Sequence, residues 1–168
     1  MAFTHLHVHS NYSLLQAVPK LPDLVNKAKQ YGMKALALTD NGNMYGTIEF
    51  YQECLKKEIK PIIGVDFYVA SRTRHDREGR LDAKTTRLLL LAKNYAGYMN
   101  LIKLVTDSNL EGFYYRPRLD YELIQKHNND LICIIPFFNS EISNNLKIND
   151  FDVADAIYNK LKSAYGAE

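Results

Sequence analysis

The sequence predicts an α/β fold in which parallel strands alternate with helices, and three features of its 168 residues support this. Short apolar runs of strand length recur along the chain, and between them apolar residues repeat every three or four positions, as on one face of a helix. The connections are mostly short, and several runs are apolar throughout, which is typical of strands buried on both faces of a parallel sheet. Such alternation produces right-handed βαβ units, either in an open sheet or in part of a barrel, and periodicity does not decide between the two.

The elements follow in order from the N-terminus. Predicted strands cover residues 5–9, 34–39, 61–70, 88–92 and 131–135. Predicted helices cover residues 21–31, 45–57, 98–105, 120–127 and 153–164. The second helix carries Ile48, Tyr51 and Leu55 on one face. Residues 71–84 are rich in both charges, which indicates an excursion outside the core, and the polar residues 139–150 indicate a surface loop or a frayed helix.

The composition is that of an ordinary globular chain with a real core, with 46% hydrophobic and 24% charged residues. A formal net charge of +2 is too small to indicate nucleic-acid binding by itself. Cys54 and Cys133 match no paired metal or redox motif, so we expect reduced core thiols. Since the sequence has neither a signal peptide nor an apolar run near the ~20 residues of a membrane span, we expect a cytoplasmic protein without a membrane partner.

Three of the five histidines, His5, His7 and His9, fall close together and alternate with apolar residues. On a strand they would share one face, because successive side chains point to opposite sides. Imidazoles at this spacing can bind one metal ion between them. The alternative is a strand whose polar face is solvated or hydrogen-bonded.

Two carboxylates lie near the ends of later predicted strands. Asp40 follows the second predicted strand, and Asp66 lies within the third. Because chemistry collects at the carboxyl ends of parallel strands, we expect both to approach His9 in space.

Ordered sequence blocks extend this pattern over roughly residues 3–135. They are His5–Ser10, Tyr12–Leu15, Ala35–Asp40, Glu49–Tyr51, Ile59–Gly64, Leu89–Asn94 and Leu110–Arg118. Together they resemble the polymerase-and-histidinol-phosphatase (PHP) superfamily, and more narrowly the PHP domain that opens the alpha subunit of bacterial DNA polymerase III.

The resemblance implies a distorted (β/α)7 barrel with two or three metal ions at the carboxyl ends of the strands. Residues 1–168 would then be its N-terminal part, about five βα units, without the rest of the barrel or the polymerase domains. The implied partners are the rest of the alpha chain, a proofreading exonuclease subunit, and DNA bound through the parent polymerase, which uses magnesium. A partial barrel also exposes sheet edges, through which copies could associate.

By the same resemblance, His7, His9 and Asp66 correspond to metal ligands, and Asp40 supports them. Five positions depart from the pattern of members with an intact centre: Gln16 for an acid or histidine, Asn41 for histidine, Asp66 for glutamate, Arg87 for histidine, and Pro136–Phe138 in the region of a further ligand. We therefore expect a degenerate site that holds zinc or manganese weakly or not at all, with no catalytic residue. Arginine does not deprotonate, so Arg87 could replace the charge of an ion by pairing with the acids.

Three functions remain open. The leading hypothesis is a non-catalytic PHP domain that supports the polymerase and docks the exonuclease. The second is an active metal-dependent phosphoesterase or 3′–5′ proofreading exonuclease with a metal-bound water as nucleophile. The third is DNA contact through Arg72, Arg74, Arg77 and Arg116, helped by the aromatic residues 113–115, although charged excursions are usually only solvated.

Overall fold

The computed structural model describes residues 3–166, which divide into two compact units with the boundary between Asp66 and Phe67. In chain order the elements are α1 (Leu21–Gln30), β1 (Ala35–Leu38), α2 (Thr47–Lys56), β2 (Lys60–Ala70), α3 (Gly79–Ala83), β3 (Thr85–Ala92), α4 (Tyr95–Leu110), β4 (Arg118–Leu119), α5 (Tyr121–Lys126), β5 (Leu131–Ile134), α6 (Glu141–Lys147) and α7 (Phe151–Tyr165). The predicted mixed α/β fold is confirmed. Strand β2 runs from the first unit into the second.

The first unit is built on a parallel strand pair. β1 pairs with the first part of β2, with Ala35 opposite Lys60 and Leu38 opposite Ile63. Helices α1 and α2 cover this pair, since apolar residues at helical spacing bury one face of each. The core residues are Leu21, Val25, Ala28, Leu36, Leu38, Phe50, Cys54 and Ile59.

Helix α2 buries a different face from the one that its most apolar residues suggest. Phe50 and Cys54 are buried, whereas Ile48, Tyr51 and Leu55 are exposed. Two apolar series with the same helical spacing, offset by one or two residues, share this helix. Periodicity shows that such a series exists. It does not show which of the two series points toward the core.

The second unit combines both strand directions. The end of β2 pairs in parallel with β4, with Tyr68 opposite Arg118. β3 and β5 pair antiparallel, with Leu89 opposite Ile134. The expectation of parallel strands throughout is therefore wrong at this pair, because an apolar run indicates burial but not direction.

The region predicted as a loop or frayed helix contains the regular helix α6. The Ser140 side chain caps it by accepting a hydrogen bond from the Ser143 amide at 3.1 Å. Helix α7 follows and buries Ala154, Ile157 and Leu161.

A buried arginine organises the charged excursion of the second unit. The Arg118 side chain is fully buried, and burial lowers its pKa. Its guanidinium donates hydrogen bonds of 2.9–3.0 Å to the backbone carbonyl oxygens of Arg74, Asp76, Asp82 and Gly112. One side chain thus joins residues 74–82 to residues 112–118.

Candidate metal centre

The N-terminal segment that carries the histidines lies along β1 without forming a regular strand, so the predicted strand at residues 5–9 is wrong. The His5 carbonyl accepts a hydrogen bond from the Ala37 amide at 3.0 Å, and the Val8 carbonyl accepts one from the Thr39 amide at 2.8 Å. Between these bonds the segment advances three residues while β1 advances two. The extra residue is absorbed by bends at residues 6–7, as in a bulge.

The irregularity separates His5 from the other two histidines. The His5 ring packs edge-on against Phe3, with ring centroids 4.7 Å apart. His7 and His9 instead pack against each other, with centroids 4.9 Å apart and planes at 81°. The expectation that all three histidines share one face is therefore wrong.

His7 and His9 converge on one carboxylate oxygen. The Asp66 Oδ2 atom lies 2.8 Å from His7 Nε2 and 3.2 Å from His9 Nε2. One ligand atom from each of the three residues lies within 4.8 Å of the others. Asp66 is buried, but the His7 side chain is 42% exposed, so the cluster opens to solvent on one side.

This donor set fits a single ion. Two imidazole nitrogens and one carboxylate oxygen are ligands that zinc accepts, and three protein ligands leave a coordination position for water or substrate. Within residues 3–166, this is the one group of three or more histidine, cysteine or acidic side chains with metal-binding geometry.

Backbone pairing fixes the position of Asp66. Asn41 and Asp66 form a parallel bridge next to the β1–β2 pair. The Asp66 amide donates to the Asp40 carbonyl at 3.1 Å, and the Gly42 amide donates to the Asp66 carbonyl at 2.9 Å. Asp66 is thereby held within β2, a few residues beyond the part that pairs with β1.

Asp40 is not part of the cluster but binds the chain segment next to it. Its buried carboxylate accepts hydrogen bonds from the Ser10 amide at 2.7 Å, the Ser10 hydroxyl at 2.7 Å and the Ser13 hydroxyl at 2.6 Å. Because Ser10 follows His9 directly, these bonds fix the backbone that carries the second histidine. Ser10 and Ser13 were not predicted as site residues, because they carry no recognisable signal beyond their proximity to the histidines.

The side-chain amides of Gln16 and Asn41 lie next to this network. The sequence resemblance implies that members with an intact metal centre have ligands at these two positions. The Asn41 Nδ2 group donates to Gln16 Oε1 at 2.8 Å. Asn41 Oδ1 is buried and has no hydrogen-bond partner among the described residues. Neutral amides are weaker ligands for zinc than imidazole or carboxylate.

The remaining two departures lie in the second unit. The Arg87 guanidinium stacks over the Tyr68 ring at 4.1 Å from its centroid. Phe137 and Phe138 are both exposed, with their ring centroids 5.2 Å apart. Neither aromatic ring can act as a metal ligand.

Of the four arginines predicted to contact nucleic acid, Arg72 is held by acids of its own loop. Its guanidinium lies 2.6 Å from Asp82 and 3.1 Å from Glu78. The hydrogen bond from Arg72 lowers the pKa of Asp82 to about 2. The charge of Arg72 is therefore compensated within the chain.

Arg74 is buried in a second ion-pair network. It lies 2.7 Å from Glu111, 3.0 Å from Asp120 and 3.2 Å from Glu122. Arg77 and Arg116 are exposed, and Arg116 stacks on Tyr68 at 4.8 Å. Nucleic-acid contact by these arginines stays a prediction.

Comparison with known proteins identifies the family. The sequence model of the PHP domain matches residues 5–168. The chain belongs to the PHP domain family. The resemblance inferred from the sequence blocks is thereby confirmed, and metal binding by His7, His9 and Asp66 stays a prediction.

The relatives that this chain matches are much longer proteins. DNA polymerase III subunit alpha of Borreliella burgdorferi is 49% identical over 132 residues, which are 78% of this chain and 12% of the relative. The same subunit of Aquifex aeolicus is 38% identical over 170 aligned positions, covering 98% of this chain and 15% of the relative. The chain thus spans 12–15% of the length of these relatives. None of the helices in residues 3–166 is both long and apolar enough to cross a membrane.

Proposed function

We propose that this PHP domain is part of a bacterial replicative DNA polymerase alpha subunit and has a structural rather than a catalytic role. The alpha-subunit relatives support the first part of this proposal. The parent chain would extend a DNA primer using magnesium held by its own palm carboxylates, none of which lies within residues 1–168.

The observation that carries the non-catalytic role is the amide pair of Gln16 and Asn41. Binuclear hydrolysis needs two ions a few ångströms apart, one for the attacking and one for the leaving oxygen. Here one donor set of two imidazoles and a carboxylate is complete, and the adjacent positions offer neutral amides. The cluster would therefore hold at most one zinc or manganese ion, which would join the N-terminal segment to β2.

Metal content tests this proposal directly. The 168-residue chain, prepared without a chelator or a histidine tag, is expected to carry no more than one ion after equilibration with zinc or manganese. Replacing Asp66 by asparagine should abolish that binding, because the shared ligand loses its charge. Plasma mass spectrometry and a zinc titration measure both effects. The matched control is His75→Ala, which removes an exposed histidine of the second unit and should change nothing.

An active phosphoesterase is the second candidate, because the metal-ligand cluster opens to solvent through His7. Two ions per chain, together with hydrolysis of a nitrophenyl phosphodiester that Asp66→Asn abolishes, would replace the structural proposal with this one. The expected result is no turnover above that of the variant.

We also propose that the domain docks a proofreading exonuclease subunit, as the polymerase assignment implies. The purified chain and the exonuclease of the same organism should co-elute from a size-exclusion column as a complex. Independent elution of the two proteins at micromolar concentration would contradict this role while leaving the metal result unaffected.

A further inference from the structure

Buried Arg118 cross-links two segments of the second unit. Residues 74–82 and 111–118, the loop pair, are joined by three Arg118 hydrogen bonds to backbone carbonyls of the first segment, and a fourth holds Gly112 within the second. Further contacts tie them at their rims, where Arg77 Nη2 donates to the Glu111 carbonyl at 3.4 Å and the Tyr114 hydroxyl donates to the Gly79 carbonyl at 3.5 Å. The backbone that carries the exposed side chains of the loop pair is therefore cross-linked at several points.

A tight turn projects an aromatic ring from this surface. The Tyr114 amide donates to the Arg116 carbonyl at 3.1 Å, so residues 114–116 reverse the chain direction. At the tip, Tyr115 has φ 59°, a left-handed conformation that bulky residues rarely adopt. Its side chain is 73% exposed, and Phe113 nearby is 51% exposed. Strained backbone that presents a large exposed ring is typical of a binding position rather than of core packing.

Two arginines, Arg72 and Arg74, form all the arginine–carboxylate ion pairs around the loop pair among residues 3–166. Arg72 and Arg74 together pair with all the acids of the surface: Asp76, Glu78, Asp82, Glu111, Asp120 and Glu122. No carboxylate in the described part of the chain lies within 4.0 Å of a nitrogen of Arg77, Arg80 or Arg116. These three arginines therefore have no carboxylate partner within that distance, and they lie in the same two segments as the exposed rings of Phe113 and Tyr115.

We propose that this face of the loop pair binds single-stranded nucleic acid. Arginines pair with phosphates, and exposed aromatic rings stack on unpaired bases whatever their sequence. A duplex hides the faces of its bases, so Phe113 and Tyr115 would contribute little to binding one. The inference concerns Arg77, Arg80 and Arg116 and assigns Arg72 and Arg74 to the scaffold. It does not depend on the metal centre.

The test is fluorescence anisotropy of a labelled oligothymidylate of about 20 nucleotides, long enough to cover such a surface, titrated with the 168-residue chain at several salt concentrations. The wild-type chain should bind it about tenfold more tightly than a duplex of the same length, since stacking is available only to the single strand. Phe113→Leu with Tyr115→Asn should raise the Kd about tenfold with little change in salt dependence, because only stacking is lost. Asparagine tolerates the left-handed conformation of Tyr115, so this variant should fold.

Removing the charges should give a different signature. Arg77→Ala with Arg116→Ala should lower the slope of log Kd against log salt by about 1.4, since each phosphate contact with a single strand contributes about 0.7. Lys34→Ala with Lys147→Ala removes the same charge from exposed positions elsewhere and should leave the slope unchanged. Asp66→Asn should bind like wild type, which separates this result from the metal test.

Three outcomes would overturn the proposal. They are no binding by the wild-type chain at low salt, equal affinity for the duplex, and an equal loss in the lysine control. Weakening by the arginine variant alone, with the aromatic variant at wild-type affinity, would also contradict it and indicate a nonspecific cationic surface.

Discussion

Replacing Arg118 with methionine is expected to unfold the second unit. The substitution preserves much of the buried volume but leaves four carbonyl oxygens without donors, three of them in fully buried hydrogen bonds. Each unpaired buried group costs about 1–3 kcal/mol, so the free energy of unfolding should fall by about 4 kcal/mol or more. A loss of that size is a large share of the stability of most domains.

Urea unfolding followed by circular dichroism measures this effect. The matched control is Arg116→Met, the same substitution two residues away on an exposed side chain, which loses only the stacking on Tyr68 and should change stability by no more than about 1 kcal/mol. Arg118→Lys should also be destabilising, because an ammonium group has three donors and cannot reach four carbonyls arranged around a planar guanidinium. Stability equal to wild type in Arg118→Met would show that the loops are held by other contacts.

Asp40→Ala should disorder the histidine segment and weaken the metal site at once. Asp40 accepts hydrogen bonds from three donors. One of them is the Ser10 amide, which has no other described partner. Loss of these buried bonds should lower the free energy of unfolding by about 3 kcal/mol. Zinc affinity should fall about 10–100-fold, as happens when groups that orient metal ligands are removed.

The control for Asp40→Ala is Asp23→Ala, which removes an exposed aspartate from the first turn of α1 in the same unit. A zinc titration with a competing dye and urea unfolding should both leave this control near wild type. Unchanged zinc affinity in Asp40→Ala would contradict the supporting role of the carboxylate, whatever the effect on stability.

The sequence predicted most elements because their signals are local. Apolar runs located β1, β2, β3 and β5, and Asp120 caps α5 as expected, accepting from the Leu123 amide at 3.1 Å. Strand direction, the buried face of α2 and the two-residue strand β4 depend on tertiary contacts that no local pattern records. The buried Arg118 and the exposed Arg116 differ only in their surroundings, so the sequence did not predict which of the two is buried.

The sequence predicted that His7, His9 and Asp66 lie close together, and the structure confirms this proximity, while their metal binding stays a prediction. Asp40 lies outside the cluster and binds the backbone next to His9. The failure at His5 has a specific cause, because a regular strand would have aligned three histidines and the extra residue before Val8 breaks that alignment. The Val8 amide donates a hydrogen bond to the Thr39 side-chain oxygen Oγ1 at 2.8 Å instead of to a strand carbonyl, and periodicity could not predict this contact.

The histidine–aspartate cluster also has a consequence for how the first unit holds together. His7 and Asp66 are 59 residues apart in sequence and lie near opposite ends of that unit. An ion bound between them would cross-link a long loop, much as a disulfide does, and would bind the folded chain but not the unfolded one. At 100 times its Kd, such an ion would add about 2.7 kcal/mol to the stability of the first unit by mass action alone. A site for a single ion can thus act as a reversible cross-link, and its contribution to stability would depend on the concentration of available metal.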